Sequence, residues 1–222
     1  MNITGKTVLI TSGGTLEKWD NVRGHTNLSK GIMGCYLAEA ALAAGANVIY
    51  VHGYFAKLPN HAEQMCLIGF EGIEHLGSII QQYVQEEKVD IVIMAAAGSD
   101  WLVDKVFDQS GNELTEQGKM PSDEPPIIHF KKAPKILPQI KKWQPNVTLI
   151  GFKLEATTDE VELKKRAMKR MQTSQAQFMV ANSSASLYGE HEPHWIIAAN
   201  GEVIRVEGKE ATAQQLMKIV IT

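Results

Sequence analysis

The sequence has 222 residues, of which 44% are hydrophobic and 21% are charged, and its formal net charge at pH 7 is −3. This length and composition predict a single domain over residues 1–222, and the slight negative charge gives no support for a nucleic-acid partner. No apolar run approaches the ~20 residues of a membrane span, and no signal-peptide pattern opens the chain, so we expect a cytoplasmic protein with no membrane partner. The two cysteines, Cys35 and Cys66, have no Cys or His at metal-binding spacing and are interpreted as reduced thiols.

Apolar runs and helical periods alternate along most of the chain. The pattern predicts strands at 7–10, 47–52, 89–96, 147–151 and 177–181, and helices at 31–44, 73–87, 159–172 and 209–219. Strands that alternate with helices are typical of a parallel sheet with helices on both faces. The sequence therefore predicts an α/β fold with a doubly wound, Rossmann-like, mostly parallel sheet.

Two regions depart from this alternation. The segments 194–199 and 202–206 flank Asn200-Gly201, the preferred pair of a tight hairpin, and predict an antiparallel C-terminal hairpin that extends the sheet. Between residues 101 and 132 the periodicity fails and glycine and proline are frequent. A loop of this length in a compact domain is typically functional, so we predict a flexible active-site loop there.

Small and polar residues follow four of the predicted strands. They are Ser12-Gly13-Gly14, the run 96–100 that ends in Asp100, the run 152–155, and Asn182. Each alone is typical of a turn or a helix cap. Because the carboxyl ends of parallel strands meet at one edge of a sheet, the four together predict an active site.

The first of these strand ends predicts a phosphate site. Glycines and hydroxyls follow a buried strand, and a second group, Ser29-Lys30-Gly31, opens a helical pattern. Backbone N–H groups without a nearby Cβ, at a helix N-terminus, suit an anion. Neither the dinucleotide motif G-x-G-x-x-G nor the P-loop motif is present. The layout favours a nucleoside triphosphate bound beside an acidic substrate.

Three polar features are ambiguous when taken singly. Asp100 suits either a helix N-cap or an acceptor for a substrate hydroxyl or amide. Lys119, in the long polar segment, suits either a solvated surface or a lid that closes over phosphates. The His191 and His194 pair is a weak metal candidate, because Pro193 argues against a helix and no third ligand is near in sequence.

Five motifs in this order are similar to those of the phosphopantothenate–cysteine ligase (phosphopantothenoylcysteine synthetase) family of coenzyme A biosynthesis. They are ITSGGTLE at 10–17 with DNVR at 20–23, NLSKGIMG at 27–34, AAAGSDW at 95–101, GFKLEA at 151–156 and VAN at 180–182. The resemblance runs from about residue 5 to the C-terminus. It implies a ligase that joins 4′-phosphopantothenate to L-cysteine through an acyl-nucleotidyl anhydride, with release of pyrophosphate.

The resemblance also implies residue roles. The nucleotide-binding residues are Gly13, Ser29, Gly31, Gly34, Phe152 and Asn182. The phosphopantothenate-binding residues are Arg23, Asn27, Ala96, Ala97 and Asp100, with Arg23 supplied by the neighbouring subunit of a homodimer. The catalytic residues are Asn27, Asp100 and Lys119, the last on a loop that closes over the intermediate. Mg²⁺ is expected to be held mainly by the nucleotide phosphates, with no metal ligands from the protein.

The sequence departs from the family pattern at several points. Lys30 replaces the second serine of S-S-G, Ile32 replaces a common basic residue, and Gly98 replaces a valine. The positive charge thus lies at position 30 instead of position 32, and we expect Lys30 to support triphosphate binding. The F-K-L-E form at 152–155 resembles ATP-using eukaryotic members, whereas G-I-M-G at 31–34 resembles bacterial members. The balance favours CTP over ATP.

Two other functions remain as alternatives to the ligase. A dinucleotide-binding reductase on the same fold would carry G-x-G-x-x-G and a Tyr-x-x-x-Lys pair, which are missing here. A non-catalytic nucleotide-binding sensor would keep the fold but release no pyrophosphate. Because the chain opens directly on the ligase motif, we expect a stand-alone ligase, with a separate flavin-dependent decarboxylase acting next in the pathway.

Overall fold

A computed structural model describes residues 3–114, 120 and 122–220. The elements in chain order are β1 Thr7–Ser12, β2 Leu16–Lys18, β3 Gly24–Thr26, α1 Ile32–Ala43, β4 Asn47–Gly53, β5 Cys66–Phe70, α2 Ile73–Glu86, β6 Ile91–Met94, β7 Trp101–Phe107, β8 Ile127–Lys132, α3 Leu137–Trp143, β9 Thr148–Glu155, α4 Glu160–Ser174, β10 Phe178–Ser183, β11 Pro193–Ala198, β12 Val203–Glu207 and α5 Lys209–Val220. The predicted alternation of strands and helices is confirmed.

The described residues form one large sheet of eight strands in the order β12-β11-β10-β9-β6-β1-β4-β5. Pairing is parallel from β5 to β10, and it is antiparallel between β10 and β11 and between β11 and β12. The last two strands are the predicted hairpin, which extends one edge. The chain moves outward from β1 through β4 and β5, then returns to the other side of β1 as β6. This reversal is the switch point at which open parallel sheets bind ligands.

Helices cover both faces of the sheet, as predicted for a doubly wound fold. Successive residues of β1 point to opposite faces, so Val8 and Ile10 join one core while Leu9 joins the other. Helices α1 and α5 pack together on the Val8 side, where Leu37 and Leu216 are fully buried. Helices α2, α3 and α4 cover the opposite face. No helix in the described ranges is long and apolar enough to cross a bilayer.

The region between residues 101 and 132 differs from the predicted loop. Its two ends, β7 and β8, form an antiparallel pair with a register irregularity between Val103 and Lys105. Leu102 and Val106 of β7 are buried, but most of the remaining side chains of the two strands are exposed. Because the strands bury so little apolar surface, their alternation is weak in the sequence. Residues 101–107 and 127–132 are therefore strands at the two ends of the region; the flexible active-site loop within 101–132 stays a prediction, and residues 115–119 and 121 lie outside the described residues.

Candidate active site

A cavity of about 360 Å³ opens at the carboxyl ends of β6, β9 and β10. Its walls come from residues 27–33, the turn 94–100 after β6, the segment 134–138 that leads into α3, and residues 152–154 of β9. Arg170, Asn182, Ser186, Leu187, His194 and Lys209 complete the lining. Of the twelve site residues predicted from the sequence, eight line the cavity: Asn27, Ser29, Gly31, Ala96, Ala97, Asp100, Phe152 and Asn182. The cavity thus brings together three of the four strand ends named from the sequence, and Ser12-Gly13-Gly14 lies outside its lining.

The turn after β6 is bound tightly to the end of β1. The backbone N–H groups of Ala96 and Ala97 donate to Thr11 Oγ1 at 3.0 Å and to the Gly13 carbonyl at 2.8 Å. The N–H of Ser99 donates to Thr15 Oγ1 at 3.0 Å. Ala96 and Ala97 line the cavity, but their amide donors are already used, and their role in phosphopantothenate binding stays a prediction. What they offer a substrate is a small side chain and close approach to the backbone.

Asn27 lies at the junction between this turn and the loop before α1. Its Nδ2 donates to the carbonyl oxygen of Ala97 at 2.8 Å, and the N–H of Thr15 donates to the same oxygen at 3.2 Å. The amide orientation of Asn27 is thereby set, and its side chain lines the cavity. The structure places this predicted catalytic residue directly beside the predicted substrate-binding turn.

The N-terminus of α1 faces the cavity through Ser29, Lys30 and Gly31. Gly31 is the N-cap with φ of 76°, no side chain caps the helix, and no acidic residue lies in its first turn. Uncapped N–H groups and the positive end of the helix dipole attract an anion. Lys30 adds a formal positive charge there. This end of the cavity suits phosphate groups, and the roles of Ser29 and Gly31 in nucleotide binding stay predictions.

Two glycines assigned to the nucleotide lie outside the cavity lining. A Cβ on Gly34 would lie 2.1 Å from Ser12 Oγ, so this glycine allows α1 to pack against the end of β1. Gly13 has φ of 80°, and a Cβ there would lie 2.5 Å from the Cβ of Ala56. Close packing alone explains both glycines. Their roles in nucleotide binding remain predictions.

Asp100 and Lys135 form an ion pair at the mouth of the cavity. Their side chains are 67% and 49% exposed, so solvent screens the pair. Lys135 precedes α3 and was not singled out from the sequence, because it lies 35 residues from Asp100 and no motif links them. Asp100 is the only carboxylate among the described residues of the lining.

Phe152 and two cations lie on the β9 side of the cavity. Phe152 is partly buried against the core and presents an aromatic ring to the lining. Lys153 lines the cavity and pairs with Glu155 at 2.8 Å. Arg170 reaches the lining from α4. This side therefore offers an aromatic surface together with positive charge, a combination that suits a nucleotide.

The inner end of the cavity is formed by β10, β11 and α5. Asn182 and His194 are directly opposite each other on the antiparallel strands, and both are buried, with 8% and 1% exposure. Burial lowers the pKa of His194 to about 4; a hydrogen bond to the Glu192 carbonyl opposes this shift, and the charge of Lys209 adds to it. Lys209 Nζ donates to the Gly189 carbonyl at 2.7 Å, and burial lowers the pKa of this amine.

His194 and Lys209 line the cavity, although no sequence motif predicts this. His194 was considered only as half of a metal pair with His191, and Lys209 only as the start of the last helix. The antiparallel pairing of β10 and β11 places His194 beside Asn182, and this pairing exists only in the folded sheet.

Arg23 does not line the cavity of its own chain. It pairs with the buried carboxylate of Asp20 at 2.8 Å, and its Nη2 donates to the carbonyl of Met120 at 2.7 Å. The Met120 N–H hydrogen bond to Asp20 holds the pKa of that carboxyl well below its usual range, helped by the Val22 and Arg23 N–H groups and opposed by burial. The predicted catalytic Lys119, next to Met120, lies outside the described residues.

A protein-bound metal centre is not evident in this site. Residues 3–114, 120 and 122–220 contain no group of three or more His, Cys, Asp and Glu side chains that could hold a metal ion. The His191 and His194 pair therefore has no third ligand in the described part of the chain.

A comparison with known protein families shows which family this chain belongs to. The model described as the DNA/pantothenate metabolism flavoprotein C-terminal domain matches residues 3–222. The chain belongs to this family. Membership confirms the relationship that the five motifs predicted.

Individual members of the DNA/pantothenate metabolism flavoprotein family show the same likeness. The coenzyme A biosynthesis bifunctional protein CoaBC of Thermococcus kodakarensis is 34% identical over 182 residues, which cover 82% of this chain and 42% of that protein. The chain thus spans less than half the length of this relative. A DNA/pantothenate metabolism flavoprotein from Streptococcus pneumoniae has a TM-score of 0.87 at 28% identity, covering 98% of this chain and 99% of that one.

A more distant structure shares the fold of the family. It is the Cab2 mutant H337A in complex with phosphopantothenate-cysteine, with a TM-score of 0.73 at 22% identity, covering 97% of this chain and 85% of that one. At this identity the likeness supports the sheet topology described above.

Proposed function

We propose that this chain is a ligase that joins 4′-phosphopantothenate to L-cysteine with a nucleoside triphosphate as co-substrate. The observation that carries the proposal is the single cavity wall formed by Asn27, the α1 N-terminus and the Ala95–Asp100 turn. It offers an anion site directly beside a small-residue surface for a substrate. Family membership and the product named in the Cab2 structure support this substrate class.

The chemistry required is activation of a carboxylate. A carboxylate is a poor electrophile until one of its oxygens becomes a good leaving group, and transfer of a nucleotidyl group supplies one. The carboxylate oxygen attacks the α-phosphorus and pyrophosphate leaves. The cysteine amine then attacks the acyl carbon, and the nucleoside monophosphate leaves as the amide forms.

The residues of the cavity can assist both steps. The α1 N–H groups and Lys30 stabilise negative charge that develops on the phosphates. Asn27, held by Ala97, presents a fixed amide to the acyl group. Asp100 and Lys135 can bind polar groups of the substrate at the mouth of the cavity. We propose that Lys119 contributes further positive charge when substrates are bound.

The donor set fits Mg²⁺ only in part, because Asp100 is the lone carboxylate among the described lining residues. We therefore propose that the ion is held mainly by the triphosphate, where it offsets phosphate charge. We further propose CTP as the preferred nucleotide. A homodimer is part of the proposal, because Arg23 lies outside the cavity of its own chain and needs a neighbouring subunit to reach substrate phosphate.

The deciding experiment is pyrophosphate release from purified protein with Mg²⁺ and 4′-phosphopantothenate, with and without L-cysteine. CTP and ATP are compared, and UTP serves as a control. Turnover that depends on cysteine would establish the ligase and rank the nucleotides. Nucleotide binding without pyrophosphate release would instead establish the sensor alternative. Family membership already favours the ligase over the dinucleotide-binding reductase.

A further inference from the structure

The hydroxyl group of Tyr50 is connected by hydrogen bonds to the N-terminus of α1. Tyr50 is fully buried on β4, and neither it nor its partner Ser12 lines the cavity. Tyr50 Oη donates to Ser12 Oγ at 2.8 Å, and Ser12 Oγ donates to the carbonyl of Gly31 at 3.0 Å. Because a carbonyl can only accept, the Ser12 proton goes to Gly31 and the Ser12 oxygen accepts from Tyr50. Two hydroxyl groups thus join the core of the sheet to the N-cap of α1.

The same phenol also contacts the segment that follows β4. Tyr50 Oη lies 3.0 Å from the carbonyl oxygen of Lys57, and the Cys35 thiol donates to that oxygen at 3.1 Å. The N–H of Lys57 in turn donates to the carbonyl of Lys30 at 2.9 Å. Lys30 and Gly31, which form the end of α1 that faces the cavity, are therefore both held by contacts that meet at Tyr50.

The phenol and the thiol keep their protons in these surroundings. Burial and the hydrogen bond with Cys35 raise the pKa of Tyr50 above its ordinary value, and the bond to Ser12 opposes this shift. Burial also raises the pKa of the Cys35 thiol, although the Tyr50 hydrogen bond and the charge of Lys57 oppose it. Both groups therefore stay neutral near pH 7, and the hydrogen bonds persist there.

These contacts set the direction of the amide donors at the cavity. In a trans peptide the N–H points opposite to the C=O. The carbonyl of Lys30 points toward Lys57, so the Gly31 N–H points the other way. The carbonyl of Gly31 points toward Ser12, so the Ile32 N–H points away from Ser12. Gly31 and Ile32 line the cavity, and within the described residues their N–H groups have no acceptor.

We propose that Tyr50 is a positioning residue of the phosphate site: through Ser12 and Lys57 it fixes the backbone at Lys30 and Gly31, so that free N–H groups face the nucleotide phosphates. The inference rests on the proposed function and adds to it a residue outside the cavity lining. Its ligand is the polyphosphate part of the nucleotide, because N–H donors at a helix N-terminus bind anionic oxygens. Donors that are already oriented need no rearrangement when the anion binds.

The test compares Tyr50→Phe, Ser12→Ala and the double variant with the wild type. Tyr50→Phe removes the hydroxyl and keeps the ring in the core. Calorimetry measures the affinity for CTP, and competition with CTP measures the affinity for inorganic tripolyphosphate. Steady-state pyrophosphate release gives KM for each substrate. If ATP is the better nucleotide, it replaces CTP throughout.

Two controls separate positioning from a general effect on stability. Tyr83→Phe removes a tyrosine hydroxyl from α2, outside the cavity lining. Ile80→Val removes a methylene group from the fully buried core on the face of the sheet opposite α1, and it should destabilise the fold. Urea unfolding ranks the stability of all variants.

In Tyr50→Phe and Ser12→Ala, CTP and tripolyphosphate should both bind about 5- to 30-fold more weakly. KM should rise for the nucleotide and stay near the wild-type value for phosphopantothenate and L-cysteine. The double variant should lose little more than either single variant, because both changes interrupt one chain of hydrogen bonds. Both controls should bind CTP and tripolyphosphate as the wild type does.

Three results would overturn the inference. The first is a loss of CTP affinity no greater than that in Ile80→Val, and the second is a similar rise in KM for all three substrates. The third is binding of CTP to the wild type without competition from tripolyphosphate. Should Tyr50→Phe fail to fold, Ser12→Ala still decides, since it breaks the connection to Gly31 and leaves the Tyr50 ring in place. A folded wild type that binds neither CTP nor ATP would instead overturn the proposed function.

Discussion

Asn27 Nδ2 lies 2.8 Å from the carbonyl oxygen of Ala97, 70 residues further along the chain, and joins the loop before α1 to the turn after β6. Asn27→Asp would replace this donor by a carboxylate facing the carbonyl. We expect kcat to fall by about 10- to 100-fold, since the donor amide is lost and the new carboxylate is repelled by the Ala97 carbonyl oxygen, which keeps only the Thr15 N–H. Steady-state pyrophosphate release checks this.

The control for that change is Asn200→Asp, which introduces the same charge at the β11–β12 turn. Asn200 Oδ1 accepts from the N–H of Glu202 at 3.0 Å, and an aspartate retains that acceptor. Unchanged activity is expected. If Asn27→Asp were as active as this control, Asn27 would have no role in the reaction.

Gly34→Ala should destabilise the fold. The added Cβ would lie 2.1 Å from Ser12 Oγ and 2.5 Å from Ser12 Cβ, so α1 must move away from β1. Overpacking of this kind costs about 1–3 kcal/mol. Gly69→Ala is the matched control, because its nearest atom would be His52 Cε1 at 3.8 Å, an ordinary contact. Urea unfolding should separate the two variants, and equal midpoints would show that the helix adjusts at no cost.

His194 should make stability depend on pH in the mildly acidic range. Its pKa is lowered from 6.5 to about 4 in the folded state, so the unfolded chain binds the proton more tightly. Stability contributed by the neutral ring is therefore present above pH 6.5 and is lost as pH falls towards 4. The shift corresponds to about 3 kcal/mol. Chemical unfolding at pH 7 and pH 4.5 should show a smaller loss in His194→Phe.

The pKa shift of His61 has the opposite effect on how stability depends on pH. Its pKa is raised by the hydrogen bond and charge of Glu39, so its contribution is present at low pH and is lost as pH rises above the folded pKa. His61→Ala separates this pair from the His194 effect. If the pH 4.5 loss were the same in wild type and His194→Phe, the buried histidine would not be its source.

Asp100→Asn should reduce activity with little effect on stability. The Asp100–Lys135 pair is exposed, and pairs of this kind contribute about 1 kcal/mol or less. We expect kcat/KM for phosphopantothenate to fall about 10-fold or more, because a charged acceptor at the mouth of the cavity is lost. Asp104→Asn is the control, since it removes a similar exposed pair with Lys131 outside the cavity. Equal activity of the two variants would count against Asp100.

Arg23 should act across a dimer interface. Each active site is proposed to use Asn27 of one subunit and Arg23 of the other. A mixed dimer of an Arg23→Ala subunit and an Asn27→Asp subunit therefore has one intact site, in the Arg23→Ala subunit, and one site that lacks both residues. Random mixing of the two inactive variants should then restore about one quarter of wild-type activity in a symmetric dimer. Sedimentation checks the oligomeric state. No recovery from a confirmed mixed dimer would place Arg23 outside the partner's site.

Much of the architecture is readable from local chemistry. The apolar runs of β1, β6 and β10, the helical periods of α2 and α4, and the Asn200-Gly201 hairpin follow from side-chain spacing and turn preference alone. Small and polar residues after β6, β9 and β10 likewise predicted a site at this edge of the sheet, because carboxyl ends of parallel strands share an edge.

Other features depend on contacts between distant segments. β7 and β8 have weakly apolar sequences and exist because they pair with each other. Gly34 was read as a phosphate residue, yet its contact with Ser12 shows that packing is sufficient reason for it. The motifs that indicate the family are short segments of the sequence, so they can be recognised without the structure. The position of His194 opposite Asn182, the Asp100–Lys135 pair and the unpaired buried atoms Asn182 Oδ1 and His194 Nδ1 arise only when segments far apart in sequence meet, since strand register and burial are properties of the assembled sheet.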